Sequence, residues 1–317
     1  MIPKLEREWL TAQIAALDAM LASLPVDDYL GRMGFESRRE ELVGLLVGLE
    51  KRKEPRAKVA LFFGGEPVLG SQGVEAGFGS SAVGSFQDLL ARVSSGDRAT
   101  TLPARGPIPG RAGSQLHITS LLHGSFGFLL EELGEQQELF GATPLSKAAE
   151  RTAEYIANIA NEDEQLFSEA IEAMNSRVFQ GLKNFVACVQ KAKATVRIVE
   201  GERDETFDRV AVQRAWDRMQ ASDVDEQQVE LQGTLLGVVP HQRLFEFEAD
   251  GSPTIIDGKV GKQFSQSYLE NLGEQAYVGK RWKAVLRRRK ITKVGRAPSE
   301  VYTLLGLDEL PAKSDDN

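Results

Sequence analysis

Apolar residues recur at helical intervals from the start of the chain. Leu10, Ile14, Leu17, Leu21 and Leu24 are spaced four, three, four and three apart, a seam suited to packing against another helix. Pro25 stops that run. Leu42, Leu45, Leu46 and Leu49 form a second stripe on a helix expected from about Ser37. Residues 1–54 therefore read as a helical hairpin.

The texture then changes. Val59 to Phe63 is a short apolar run, followed by the turn signal Gly64-Gly65-Glu66-Pro67 and by Val68-Leu69, which predicts a small hairpin. Val74, Phe78, Ala82, Phe86, Leu89 and Val93 return to helical spacing. Residues 94–115 hold four glycines and three prolines without apolar period, the mark of a long loop. Leu116 to Leu122 and Phe126 to Leu130 predict a second hairpin turning at Gly124-Ser125. Thr143 and Pro144 are an N-cap and first-turn pair, and helix is expected from there to about Lys193, restarting near Asn175-Ser176. Thr195 to Val199 reads as strand and Val210 to Met219 as helix. Local hairpins mixed with runs of helix predict an α+β domain over residues 55–220.

The polar stretch 221–228 reads as a linker. Beyond it the pattern is all strand with one interruption. Strands are expected at Val229 to Val239, Leu244 to Glu248, Thr254 to Val260, Lys280 to Thr292 and Val301 to Leu305, with a short helix from Phe264 to Leu272. Three strands, a helix and two strands is the order of a small OB-like barrel, with an SH3-like closure as the alternative, over residues 229–310. Residues 311–317 form a polar tail. The expected fold is thus α+β: a helical hairpin and an α+β domain followed by a small OB- or SH3-like β-barrel.

Composition narrows the functional classes. The 317 residues carry 38 Lys plus Arg against 46 Asp plus Glu, a net charge of −8, unlike a protein that coats nucleic acid along its whole surface. The charge is uneven, because Lys280 to Arg296 holds nine basic residues and no acidic one. The single cysteine, Cys188, excludes an internal disulfide and suits a reducing compartment. The N-terminus carries charges where a signal peptide needs an apolar core, and no stretch approaches the ~18 apolar residues of a membrane span. A cytoplasmic protein without a membrane role is expected.

The strongest functional signal is that basic segment. As a strand it places Trp282, Ala284 and Leu286 on one face, with Lys283, Arg287 and Arg289 on the other. Together with Lys280, Arg281, Arg288 and Lys290 these cations are the expected contact for nucleic acid or an acidic protein surface. Phe245 and Phe247 are either base-stacking platforms or barrel core. Glu246 and Glu248, on the alternate face, oppose a nucleic-acid role.

A second expectation concerns the turn Gly70-Ser71-Gln72-Gly73, which precedes a helix. Backbone N–H groups at a helix start hold anions, and Arg98, Arg105 and Arg111 on the following loop are suited to bidentate phosphate recognition. Ser71, Gly73 and these arginines form a candidate site for a nucleotide or other phosphate ligand, as in an enzyme or a sensor, with close packing of small helix residues as the bland alternative. A third expectation is a homo-oligomer through the Leu10 to Leu24 seam.

Other chemistry finds little footing. Neither Ser71 nor Ser125 sits in a G-x-S-x-G elbow. His117, His123 and His241 show no metal-ligand spacing. The acidic clusters at Glu162 to Glu164 and Glu200 to Glu205 read as solvated turns. No cofactor, metal or catalytic group is expected, and binding is the leading role.

Overall fold

A computed structural model of the chain describes residues 2–25, 28–49, 55–98, 108, 110–122, 126–134, 141–252, 254–272 and 277–310, with backbone alone at 97 and 98. Arg105, His123, the Gly124-Ser125 turn and the tail 311–317 lie outside the described residues.

Helices α1 (Pro3–Ser23) and α2 (Tyr29–Leu49) form the hairpin. The second begins eight residues before Ser37, running through Gly31 and Gly34, where Arg32 donates to the Leu21 carbonyl across the pair. Leu10, Leu42 and Leu49 are buried between them, with Ile14, Leu17 and Leu46 partly so. The predicted seam is consumed inside the hairpin.

Five strands make the central sheet in the order β4-β5-β1-β6-β7. They are β1 (Lys58–Gly65), β4 (His117–Leu122), β5 (Phe126–Glu131), β6 (Ala194–Glu200) and β7 (Arg203–Phe207). The apolar run of β1 takes the centre because both its faces are covered. Val59, Leu61 and Phe63 meet a helical layer, while Ala60 and Phe62 meet Ile2 at the start of α1. The two short strands β2 (Val68–Leu69) and β3 (Gly73–Val74) pair with each other, so Val68-Leu69 does not return onto β1 as the turn signal predicted. The acidic stretch after Glu200, read as a turn, is the β6–β7 hairpin, whose strands are held by Arg197 paired to Asp204 at 2.6 Å.

The helical layer comprises α3 (Ala76–Arg98), α4 (Pro144–Ala160), α5 (Glu164–Ala173), α6 (Ser176–Lys191) and α7 (Arg209–Gln220). Phe78, Ala82, Phe86, Leu89 and Val93 of α3 are buried as their spacing required. That helix runs on to Arg98, so residues 94–98 are helical rather than loop, with Ser94 and Ser95 buried. Thr143 caps α4, its hydroxyl accepting from the Ser146 N–H, and Asn175 caps α6. The expected long helix breaks between them at the second acidic cluster, where Asp163 is the cap of α5.

The C-terminal strands are β8 (Ser222–Val239), β9 (Leu244–Ala249), β10 (Ile255–Val260), β11 (Arg281–Lys293) and β12 (Ser299–Glu309), with α8 (Gln266–Leu272) between the third and fourth. They close into a ring in the order β10-β12-β11-β8-β9, every junction antiparallel except β10 with β12. Phe245, Phe247, Trp282, Ala284, Leu286 and Leu304 fill its centre.

Residues 221–228 are not a linker. Ser222 onward is the first half of the eighteen-residue β8, paired to the far half of β11. This extension leaves the ring and docks on the helical layer, where Val224 and Ile291 are buried in the body's core. Lys293 donates to the Ser168 hydroxyl at 2.6 Å, and the Val294 N–H to the Ala221 carbonyl at 2.8 Å.

Candidate functional site

The seven candidate contact cations of the basic segment lie on or beside β11, between β8 on one side and β12 on the other. Acids on both neighbours meet these cations, mostly two positions along from the residue directly opposite. Lys280 pairs with Glu309 at 2.9 Å, Arg281 with Asp250, Lys283 with Glu230 at 2.8 Å and Arg287 with Glu226 at 3.3 Å. Arg288 lies 3.9 Å from Glu300 and donates to Gln227. Lys290 is exposed and stands in register between Asp225 and Glu300. The segment that reads as a positive stripe is a ladder of cross-strand charge pairs.

Arg289 goes further from its expected role. It turns into the junction between ring and body and donates to the backbone carbonyls of Glu172 and Met174 at the end of α5. A cation at a helix C-terminus meets the negative end of the helix dipole. Burial holds this guanidinium below its usual pKa, and its Nε has no hydrogen-bond partner among the described residues. It is a clamp, not a surface contact.

The aromatic expectation resolves in favour of the core: Phe245, Phe247 and Trp282 are all buried. The outward face of β9 and β10 shows Glu246, Glu248, Asp257 and Lys259, three acids to one base.

The phosphate-ligand residues are spread apart. Ser71 sits in the exposed β2–β3 turn, where the Gln72 N–H donates to the Leu69 carbonyl at 2.9 Å, and Gly70 takes φ +55°, which favours glycine. Helix α3 begins only at Ala76, directly behind Glu75, whose carboxylate opposes an anion at that helix start. Arg111 reaches Asp88 at 3.6 Å, about 18 Å along α3 from its first residue at 1.5 Å per residue. Arg98 lies at the far end of α3, about 33 Å from the start, and Arg105 is outside the described residues. The structure does not bring the turn and the described arginines together. Of the small residues on α3, Gly79 packs closely, since a Cβ there would meet Val74 of β3 at 3.2 Å and Phe128 of β5 at 3.7 Å, whereas Gly84 faces open space.

Two features were missed by the sequence reading. The tip of the hairpin leaves Tyr29 77%, Leu30 81% and Met33 64% exposed, with Met20 nearly half exposed on the facing helix. An early loss of helical periodicity around Gly31 and Gly34 hid this cluster. Glu200, read as part of a solvated turn, is more than half withdrawn from water, and burial pushes its pKa up to about 7. Its signal was the strand alternation of β6, which carries it toward the helical side. Cys188 is half-buried and its thiol is shifted upward by burial, the behaviour of a packed thiol.

No helix among the described residues is long and apolar enough to cross a membrane, and no group of three or more His, Cys, Asp or Glu among them is arranged to hold a metal ion. Comparison with protein families, curated proteins and solved structures finds no match to this chain.

Proposed function

We propose that the protein acts by binding, as an assembly or adaptor subunit whose N-terminal hairpin joins it to a second copy of itself. The observation that carries this reading is the hairpin tip. Tyr29, Leu30, Met33 and Met20 each expose large apolar side chains near the turn between the two helices, and exposed apolar surface that the fold does not cover is suited to an interaction. The reading replaces the Leu10 to Leu24 seam with the tip as the contact. Molar mass by light scattering tests it on the full chain, compared with the double variant Leu30→Glu, Met33→Glu. A mass above 34.8 kDa that falls to the monomer value in the variant supports assembly. A monomer in both overturns it.

The ring supports a second binding surface. Counted along the ring, its strands run first, second, third, fifth, fourth and back to the first, with the helix between the third and fourth. That order is the one expected of an OB-type barrel, whose second and third strands form the usual ligand face. Here that face is acidic at Glu246, Glu248 and Asp257, and six of the seven β11 cations already have partners within the fold. A phosphate backbone draws less support from this surface than a protein partner does. Fluorescence anisotropy of labelled single-stranded DNA and RNA against the full chain at rising salt separates the two. Tight, steeply salt-dependent binding that Lys290→Glu weakens restores the nucleic-acid role, and no binding at low salt removes it.

A further inference from the structure

The two outer strands of the central sheet are finished differently. β7 carries Arg203, Asp204 and Glu205, and Lys4 of α1 reaches Asp204 at 3.4 Å. Charge on an edge strand keeps further strands from pairing with it. β4 reads His117-Ile-Thr-Ser-Leu-Leu122, without Lys, Arg, Asp or Glu. Among the described residues it pairs with β5 alone, and His117 to Leu121 are exposed. Ile118 is 55% and Leu121 53% exposed. An edge without such guards is a template for another strand.

The register of β4 fixes which way its side chains face. Ile118 stands opposite Leu130 and Leu121 opposite Phe128, and both β5 residues pack on the helical side of the sheet. A bulge at Thr119 interrupts the alternation. Thr119 donates to Glu131, Ser120 stands opposite Leu129 and Leu122 opposite Gly127, all on the other side, as is His117 opposite Glu131. From 117 to 122 the faces therefore read other, helical, other, other, helical, other, the same in both directions. On the helical side a groove of about 620 Å³ lies between β4, β5 and α3, with Ser80, Val83, Gly84, Leu116, Ile118 and Phe128 in its lining. A Cβ at Gly84 would meet nothing within 4 Å, so the groove has room for side chains from outside.

We propose that β4 pairs antiparallel with β4 of a second copy of this chain, about a two-fold axis between Thr119 and Ser120. Ile118 then stands opposite the second copy's Leu121, Thr119 opposite its Ser120 and His117 opposite its Leu122, and each contact occurs twice. Residues directly opposite on paired strands share a face, and this register alone matches faces at all six positions. The apolar pairs fall on the helical side beside the two grooves, and the hydroxyl pairs fall on the other side. Both kinds of pair stabilise antiparallel strands. With no Lys, Arg, Asp or Glu on β4, self-pairing brings no like charges of these residues together. The contact is separate from the hairpin tip and does not depend on it.

Sedimentation velocity tests the contact on the full chain carrying Leu30→Glu and Met33→Glu, which silence the hairpin tip. Concentrations from about 10 μM to about 1 mM suit a contact of one strand pair. The expected mass rises toward twice that of the chain, and adding Leu121→Lys abolishes the rise. Circular dichroism checks folding, and Ser120→Lys takes the place of Leu121→Lys if the latter does not fold. Cross-linking tests the register, with Ile118→Cys and Leu121→Cys each made in a Cys188→Ala chain. On oxidation the mixture should form a disulfide-linked dimer and neither variant alone should, because like positions lie about 10 Å apart along the strands, beyond disulfide reach. A monomer at every concentration overturns the proposal, as does association unchanged by a folded lysine variant. Equal cross-linking of one variant alone overturns the register. A chain that stays monomeric yet binds a synthetic peptide of residues 116–122 overturns the second copy as occupant and points to a strand from another protein.

Discussion

Ile291 and Val224 face each other across the β11–β8 ladder and are both buried in the helical core of the body, not in the ring whose strands carry them. The two halves of the chain therefore share a core. Truncating Ile291 to Ala removes buried apolar volume at that joint, and the expected cost is about 2–4 kcal/mol. Urea unfolding followed by tryptophan fluorescence and by circular dichroism should give one coincident transition for the natural chain. Separate transitions in the natural chain would show that the halves unfold independently.

Arg289 predicts a second effect at the same joint. Its guanidinium serves two carbonyls at the end of α5, and removing it takes the donor from both, one of them partly buried. Arg289→Ala should destabilise by about 2–3 kcal/mol, with Arg289→Lys recovering only part because one ammonium does not reproduce the planar fork. Equal stability of the alanine variant and the natural chain would show that the clamp carries no weight.

Arg287 and Lys290 are three residues apart on β11 and should respond differently to charge reversal. Arg287 is partly buried against Glu226, whose carboxylate also accepts from the Ser176 N–H at the start of α6. Arg287→Glu places two carboxylates together and should lower stability by about 1–3 kcal/mol. Lys290→Glu changes an exposed residue and should stay within about 0.5 kcal/mol. The comparison needs only two thermal melts, and equal shifts would contradict the view of β11 as an internal charge ladder.

Glu200 sets a pH dependence of stability. Its folded pKa, about 7, lies above the ordinary carboxyl value, so the unfolded chain loses this proton first. The stability associated with the neutral acid is complete at low pH, declines from about pH 4 and is gone above about pH 7. Glu200→Gln cannot ionise and should gain about 1–2 kcal/mol relative to the natural chain at pH 8, with little difference at pH 4, allowing for partial exposure to solvent. Urea midpoints at the two pH values decide it, and a gain of equal size at both would assign the effect to something other than ionisation.

Where burial is periodic, the chain can be read directly. The α3 stripe from Phe78 to Val93, the Thr143 and Asn175 caps and the order of strands and helix after Val229 all follow from local spacing and capping chemistry. The first half of β8 does not. Of Ser222 to Gln228 only Ser222 and Val224 are buried, and the segment is extended because residues 287–293 of β11 pair with it. Strand β7 is similar, an acid-rich edge with Phe207 as its one buried residue. The basic segment misled for the same reason. Its acids lie on other strands, such as Glu226 for Arg287 and Glu309 for Lys280, so a local count of charge shows the cations without their counterparts.

The ring is shut by its shortest junction. β10 and β12 meet over three register pairs, from Gly258 with Tyr302 to Val260 with Leu304, and a Cβ at Gly258 would fall 2.3 Å from the Tyr302 carbonyl oxygen. Before residues 302–304 are synthesised, β10 has one edge without a partner, and its neighbour β9 is already in place. This junction and the β8–β11 pairing both join positions far apart in sequence, unlike the local β8–β9–β10 meander. Nascent chains at that stage present an open strand edge to one another, and the glycine at 258 is what allows the last strand to shut it.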